Sequence, residues 1–125
     1  MKKIIFTKEA PAPVGPYSQA VEVNGMLFIA GQIAIDPATN KFIGGSVKEQ
    51  TDVILKNTGA ILKEAGYSYG DVVKSSCFLA DIADFKAMNE VYAGYYAVDP
   101  PARSAFAIRD LPLGALVEIE TIAMK

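Results

Sequence analysis

The spacing of apolar residues changes period several times along the chain, and each change marks an element. Val47, Thr51, Ile54, Thr58, Ile61 and Ala65 recur at steps of four and three, reinforced by Leu55 and Leu62, while Lys48, Lys56 and Lys63 fall outside the stripe. That is one face of an amphipathic helix. Ser46, with Glu49 three residues on, has the pattern of a capping box, and Gly66 is a natural C-terminal stop. A second stripe, Phe85, Met88, Tyr92 and Tyr95, predicts another helix, capped by Asp81 or Asp84 and ending before Pro100.

Elsewhere the period is two. Lys3 to Thr7 reads as a first strand, and EAPAPVGPYSQ then forms a stiff extended loop whose prolines cannot join a sheet interior. Ala20 to Val23 and Met26 to Ile29 flank Asn24-Gly25, the dipeptide best suited to a two-residue type I′ hairpin. Asp71 to Ala80 alternates with apolar residues on both faces, so both faces are expected to be partly covered. The stretch PPARSAFAIRDLPLGALVEIE, Pro100 to Glu120, reads as a closing hairpin turning around DLPLG.

The order is therefore strand, hairpin, helix, strand, helix, hairpin, with no repeat or linker, and a single domain is expected over residues 1–125. The fold class is α+β: two layers, a mainly antiparallel sheet with two helices on one face. The other sheet face still needs cover. Hydrophobic residues make up 51% of the chain and mean hydropathy is +0.23, high for a small monomer, so further subunits are the economical cover.

Composition then narrows the chemistry. No apolar run approaches the ~20 residues a membrane span needs, and the opening MKKIIFTKEAPAP breaks into charge and proline too early for a signal-peptide core. A cytoplasmic protein without a membrane partner is expected, and one cysteine, Cys77, fits a reducing compartment. The net charge of −2, with scattered lysines, lacks the basic footprint of a nucleic-acid binder. There is no histidine, which removes Ser-His-Asp and Cys-His nucleophilic systems and every His-containing zinc site. Carboxylate, Arg, Tyr, Lys, Ser, backbone and water remain.

Arg103, between Pro100-Pro101-Ala102 and Ser104-Ala105, has space for its planar fork to hold a carboxylate bidentately; it also fits a solvated strand-start arginine. Glu118 and Glu120 share one face of LVEIETIA, either as solvent-facing positions or as carboxylates on a second covered face, where they must be paired or used. If DLPLG places Glu118 opposite Ala107, then Arg103 and Glu118 share a face about four residues, or roughly 13 Å, apart. Tyr17 of the rigid VGPY loop is a ring wall, a hydroxyl donor or simple packing, and Gly31 either offers a backbone N–H to an anion or relieves crowding at a strand bend. Cys77 reads as core, and Gly44-Gly45-Ser46 as a helix cap.

APAPVGPYSQA, IAGQIAIDP, the paired helices, PPARS and LPLGALVEIE, in that order, resemble the Rid (YjgF) family of enamine/imine deaminases over essentially the whole chain. The resemblance implies a chorismate-mutase-like fold assembled as a homotrimer, with pockets between subunits. It implies hydrolysis of short 2-imino acids, of the 2-aminoacrylate/2-iminopropionate type, to 2-keto acids and ammonia without metal or cofactor. In that picture Arg103 clamps the substrate carboxylate, supported by the Gly31 N–H, and the main-chain carbonyl of Ala105 accepts from the imine nitrogen. Glu118 aims and polarises the water, Tyr17 lines the pocket as wall or acid, and Asn89 of MNEVY lies near the site. Position 105 is alanine where many members carry cysteine or threonine, which bears on substrate preference. Two other readings compete: a carboxylate-binding or regulatory trimer with little turnover, in which Glu118 hardly matters, and an RNA-directed role, against which the charge and the missing basic stripe count.

Overall fold

Ser46 starts the longer helix as its sequence predicts. Its hydroxyl accepts from the Glu49 N–H at 3.2 Å while the Glu49 carboxylate accepts from the Ser46 N–H at 3.1 Å, and Gly66 ends the helix in the left-handed region at φ 83°. In this computed structural model, which describes residues 1–125, that helix is α1, Val47–Ala65. The threonines in its stripe are buried without penalty because the Thr51 and Thr58 hydroxyls donate to the carbonyls of Val47 and Ile54 one turn back.

The strands are β1 (Lys3–Ile5), β2 (Ala20–Val23), β3 (Met26–Gln32), β4 (Ile35–Asp36), β5 (Lys41–Phe42), β6 (Val72–Leu79), β7 (Ala102–Ala107) and β8 (Val117–Met124), and the second helix is α2 (Phe85–Tyr95). Asn24 and Gly25 join β2 to β3 with φ of 50° and 77°, both positive as a type I′ turn requires. Asp81 accepts from the Ala83 N–H to cap a 3₁₀ turn, Ile82–Asp84, that leads into α2; Asp84 makes no side-chain cap.

The six-stranded sheet has the order β1-β2-β3-β8-β6-β7, and β4 and β5 form a separate ribbon. The expected closing hairpin does not exist. β7 pairs in parallel with β6, while β8 runs antiparallel between β6 and β3. The reason is topological: β6, α2 and β7 form a β–α–β unit, and a helical crossover returns the chain parallel to the strand it left. The segment 108–116 is then no tight turn. It crosses the end of β6, where the Ile108 N–H donates to the Leu79 carbonyl and the Ala80 N–H to that of Leu116. The sheet is thus mixed but, as expected, mainly antiparallel, with β6–β7 its one parallel pairing.

Both helices cover the face that carries Leu27, Ile29, Cys77, Leu79, Val117 and Ile119, and the core lies between them and it. Two buried amides fasten α1 to the loops beyond: Asn57 donates to the Ile35 carbonyl at 2.8 Å and Gln50 accepts from the Leu116 N–H at 2.9 Å. The other face carries Phe28, Phe78, Phe106 and Ile122 with Glu118 and Glu120; at one end Phe78 packs against Ile33, Leu111 and Ala115, but Phe28 and Phe106 remain 39% and 47% exposed.

Candidate functional site

On that open face β3 carries a bulge. Ile29 pairs with Thr121 but Gln32 with Ile119, so β3 spends one extra residue over the same span of β8. Gly31 lies in it, and the Glu118 side chain packs onto the glycine so closely that a β-carbon there would stand 2.7 Å from Glu118 Oε2. Only glycine leaves room for that carboxylate.

Glu118 and Gly31 form one wall of a cavity of about 510 Å³; Pro11, Val14 and Tyr17 of the proline-rich loop form another, and Leu113 stands at 70% exposure beside them. The volume suits a small molecule. The loop is fixed from beneath by Gln19, which is buried: its amide oxygen accepts from the Thr7 N–H at 2.7 Å and its amide nitrogen donates to the carbonyls of Thr7, Ala10 and Pro11. Tyr17 folds back along this loop, its hydroxyl accepting from the Val14 N–H at 3.3 Å and its ring lying over Gly15.

Glu118 takes no part in the chain's ion pairs, which are Lys48–Glu90, Lys56–Asp52 and Arg109–Asp110. Burial in this apolar wall pushes its carboxyl above the usual range, and the neighbouring charge of Glu120 pushes it the same way. The cavity therefore holds a carboxylate more basic than an exposed one, with no cation against it.

Arg103 is elsewhere. It shares a row with Ser75 and Thr121, whereas Glu118 shares a row with Phe78 and Phe106. Phe106 is three residues from Arg103, an odd step, so the two charges lie on opposite faces of the sheet, their backbones roughly 14 Å apart. The expectation that they share a face is overturned. It assumed a β7–β8 hairpin, and with β6 between those strands the register is different. On the helix side Arg103 Nη1 donates to Asn89 Oδ1 at 2.5 Å, and its guanidinium carbon lies 4.8 Å from the Tyr92 ring centre and 5.4 Å from that of Phe85. Ala105, two residues on, pairs with Cys77, whose buried thiol is pushed up to about 11, as a core cysteine's would be.

A family model described as Endoribonuclease L-PSP matches residues 7–125. The chain is 45% identical to the 2-iminobutanoate/2-iminopropanoate deaminase of Mus musculus, over 100% of this chain and 93% of that one. It belongs to the Rid family. A RutC family protein of Pyrococcus horikoshii is 52% identical over 100% of this chain and 99% of the relative. A crystal structure of a Thermotoga maritima protein, described as a putative endoribonuclease, superposes with a TM-score of 0.97 at 45% identity, covering 100% of this chain and 98% of that one.

The Rid motifs thus fall into two groups. GPY, AGQ and the first glutamate of VEIE meet at the cavity through Tyr17, Gly31 and Glu118. PARS and MNEVY meet beside α2 through Arg103 and Asn89, with Ala105 on the same strand. Gln19 and Leu113 are among the cavity residues that the sequence reading did not single out. Gln19 could have been found as an amide inside an apolar alternation, because a buried amide must bond the backbone around it. Leu113 has a φ of 57° in a 3₁₀ turn, Pro112–Gly114, and nothing in its residue type announces that conformation.

Proposed function

We propose that this protein hydrolyses short 2-imino acids and their enamine tautomers, of the 2-aminoacrylate/2-iminopropionate type, to 2-keto acids and ammonia, removing reactive intermediates without a cofactor. The observation that carries the reading is Glu118: an unpaired carboxylate of raised pKa, pressed onto Gly31 in an apolar cavity of small-molecule size. The deaminase name of the mouse relative supports the same chemistry.

In this reading water adds to C2 of the protonated imine while Glu118 takes its proton, giving a carbinolamine. Glu118 returns that proton to the nitrogen, and as the C–N bond breaks the C2 hydroxyl gives its proton to Glu118 and becomes the keto group, releasing ammonia. An iminium carbon is already electrophilic, so an oriented water, a base and a fixed carboxylate suffice. The raised pKa of Glu118 suits the base, since a carboxyl closer to neutrality accepts the proton with less penalty. Tyr17 forms the facing wall. Arg103, with a fork already aimed by Asn89, holds the substrate carboxylate, helped by the Gly31 N–H, while the Ala105 carbonyl, on an edge strand with outward-facing polar groups, accepts from the imine nitrogen.

Because Arg103 and Glu118 lie on opposite faces, one chain cannot bring both to one small substrate. The site is therefore completed between copies, the Glu118 cavity of one chain meeting the Arg103 edge of the next, and the uncovered face with Phe28 and Phe106 supplies the contact. A chorismate-mutase-like homotrimer of 1–125 domains in the cytoplasm is the assembly we propose. No helix is long and apolar enough to cross a membrane.

The test adds the purified protein to a serine or threonine dehydratase reaction and follows decay of the imine. Wild type should accelerate the decay, Glu118→Ala should lose on the order of 10²- to 10⁴-fold and Arg103→Ala should lose mainly through KM. No acceleration with several short imines would sink the reading. Acceleration that survives Glu118→Ala would remove the assigned base.

A further inference from the structure

Beneath Arg103 the sheet and α2 enclose a group of hydroxyls that the reaction above does not use. Thr121, Ser75 and Arg103 form one row across β8, β6 and β7 on the helix side. Tyr92 of α2 and Tyr96 at its C-cap lie against each other with ring centres 4.7 Å apart and planes tilted by 39°. The side-chain oxygens of Ser75, Thr121, Tyr92 and Tyr96 are sealed from solvent, and none has a hydrogen-bond partner in the chain; the four residues are 0%, 1%, 5% and 5% exposed. Most buried hydroxyls are paired, so four orphans around one spot call for a shared partner. Burial holds both phenols protonated, and Ser75 is close enough to each to oppose that shift without meeting hydrogen-bond geometry.

We propose that these four hydroxyls enclose ordered water, and that this wet cluster fixes the Tyr92 ring on which the Arg103 guanidinium lies, making Tyr92 and Ser75 positioning residues for Arg103. An internal water needs two to four polar partners, and four hydroxyls provide them. The Tyr92 ring covers one face of the guanidinium and Asn89 takes one of its N–H groups, so the direction of the remaining donors follows the tilt of that ring. Phe85 offers a second ring, farther off and with no polar tip to anchor it. A fork held in place before the ligand arrives loses less freedom on closing over a carboxylate, and the benefit is read as affinity.

The inference rests on Arg103 as the carboxylate clamp, and its test separates the two. Tyr92→Phe and Ser75→Ala keep the ring and the strand but remove hydroxyls. Three quantities are measured on the intact assembly: the Kd of pyruvate as a carboxylate probe, kcat and KM for the imine, and the rotation rate of the Arg103 guanidinium by ¹⁵N NMR. Each variant should raise the pyruvate Kd and the KM three- to tenfold, leave kcat within twofold and free the guanidinium, and the double variant should fall short of the product of the two, because both act through one cluster. A variant that merely loosened the core would lower the melting temperature without this split. Positioning is overturned if both variants leave the pyruvate Kd and the guanidinium rotation within twofold of wild type, and the water if an atomic-resolution structure shows the cluster dry. Should wild type and Arg103→Ala bind pyruvate equally, the clamp reading fails, and the NMR rotation still decides whether the cluster holds Arg103.

Discussion

Glu118 keeps its proton more tightly in the folded chain than an exposed glutamate does, because apolar walls replace part of its hydration and Glu120 adds like charge. The sign of the stability effect follows. A carboxyl whose folded pKa lies above its unfolded one is most compatible with folding below the unfolded value, and stability falls as pH rises from there through the folded pKa, then levels off. Glu118→Gln removes that slope. It should melt on the order of one to a few degrees higher than wild type at pH 7, converge with it near pH 4, and be nearly inactive. Melting curves at fixed protein concentration across pH check this. A wild-type slope of opposite sign would mean that a cation from a neighbouring copy stands against the carboxylate.

Among the elements, β3 is the one whose irregularity makes the site. Gly31→Ala should leave the fold near wild-type stability, since the atom it meets is the far end of a flexible side chain, yet the displaced Glu118 should lose about 10²-fold in kcat/KM. The imine assay reads that loss, and full activity in Gly31→Ala would dismiss the close packing as incidental. Such a bulge is not visible in AGQIAI, whereas the Asn24-Gly25 turn and the Ser46–Glu49 cap were legible, because turn and cap chemistry acts over two to four residues. Both helices were legible for a related reason: a stripe at 3.6 spacing is a local signal. The closing strands were not. Whether Ala107 faces Glu118 or Leu79 depends on which strand inserts between β7 and β8, and that strand, β6, lies far upstream in the chain. Strand parity assigned faces correctly along the regular runs, failed at the irregular start of β6, where Val72 rather than Val73 joins Cys77 and Leu79 in the core, and failed across the pair.

For the whole molecule, opposite-face placement of Arg103 and Glu118 leads to a complementation experiment. Arg103→Ala and Glu118→Ala chains, each impaired alone when assayed at low imine concentration, are unfolded together and reassembled. In a cyclic trimer whose sites each draw one residue from either neighbour, an equal random mixture restores about a quarter of the sites. Activity near that level, in particles of three times 13.4 kDa by sedimentation, is the expected result. No recovery from well-formed trimers would rule out the shared site.

β8 follows every other strand in sequence, yet it sits inside the sheet, bonded to β3 on one side and β6 on the other. During synthesis, therefore, the hairpin of β2 and β3 and the unit of β6, α2 and β7 can each form early, but each waits with an unpaired inner edge until Val117–Met124 leaves the ribosome. The strand that carries Glu118 is also the keystone of the sheet, so a chain interrupted before it lacks both its base and the seam that joins its halves.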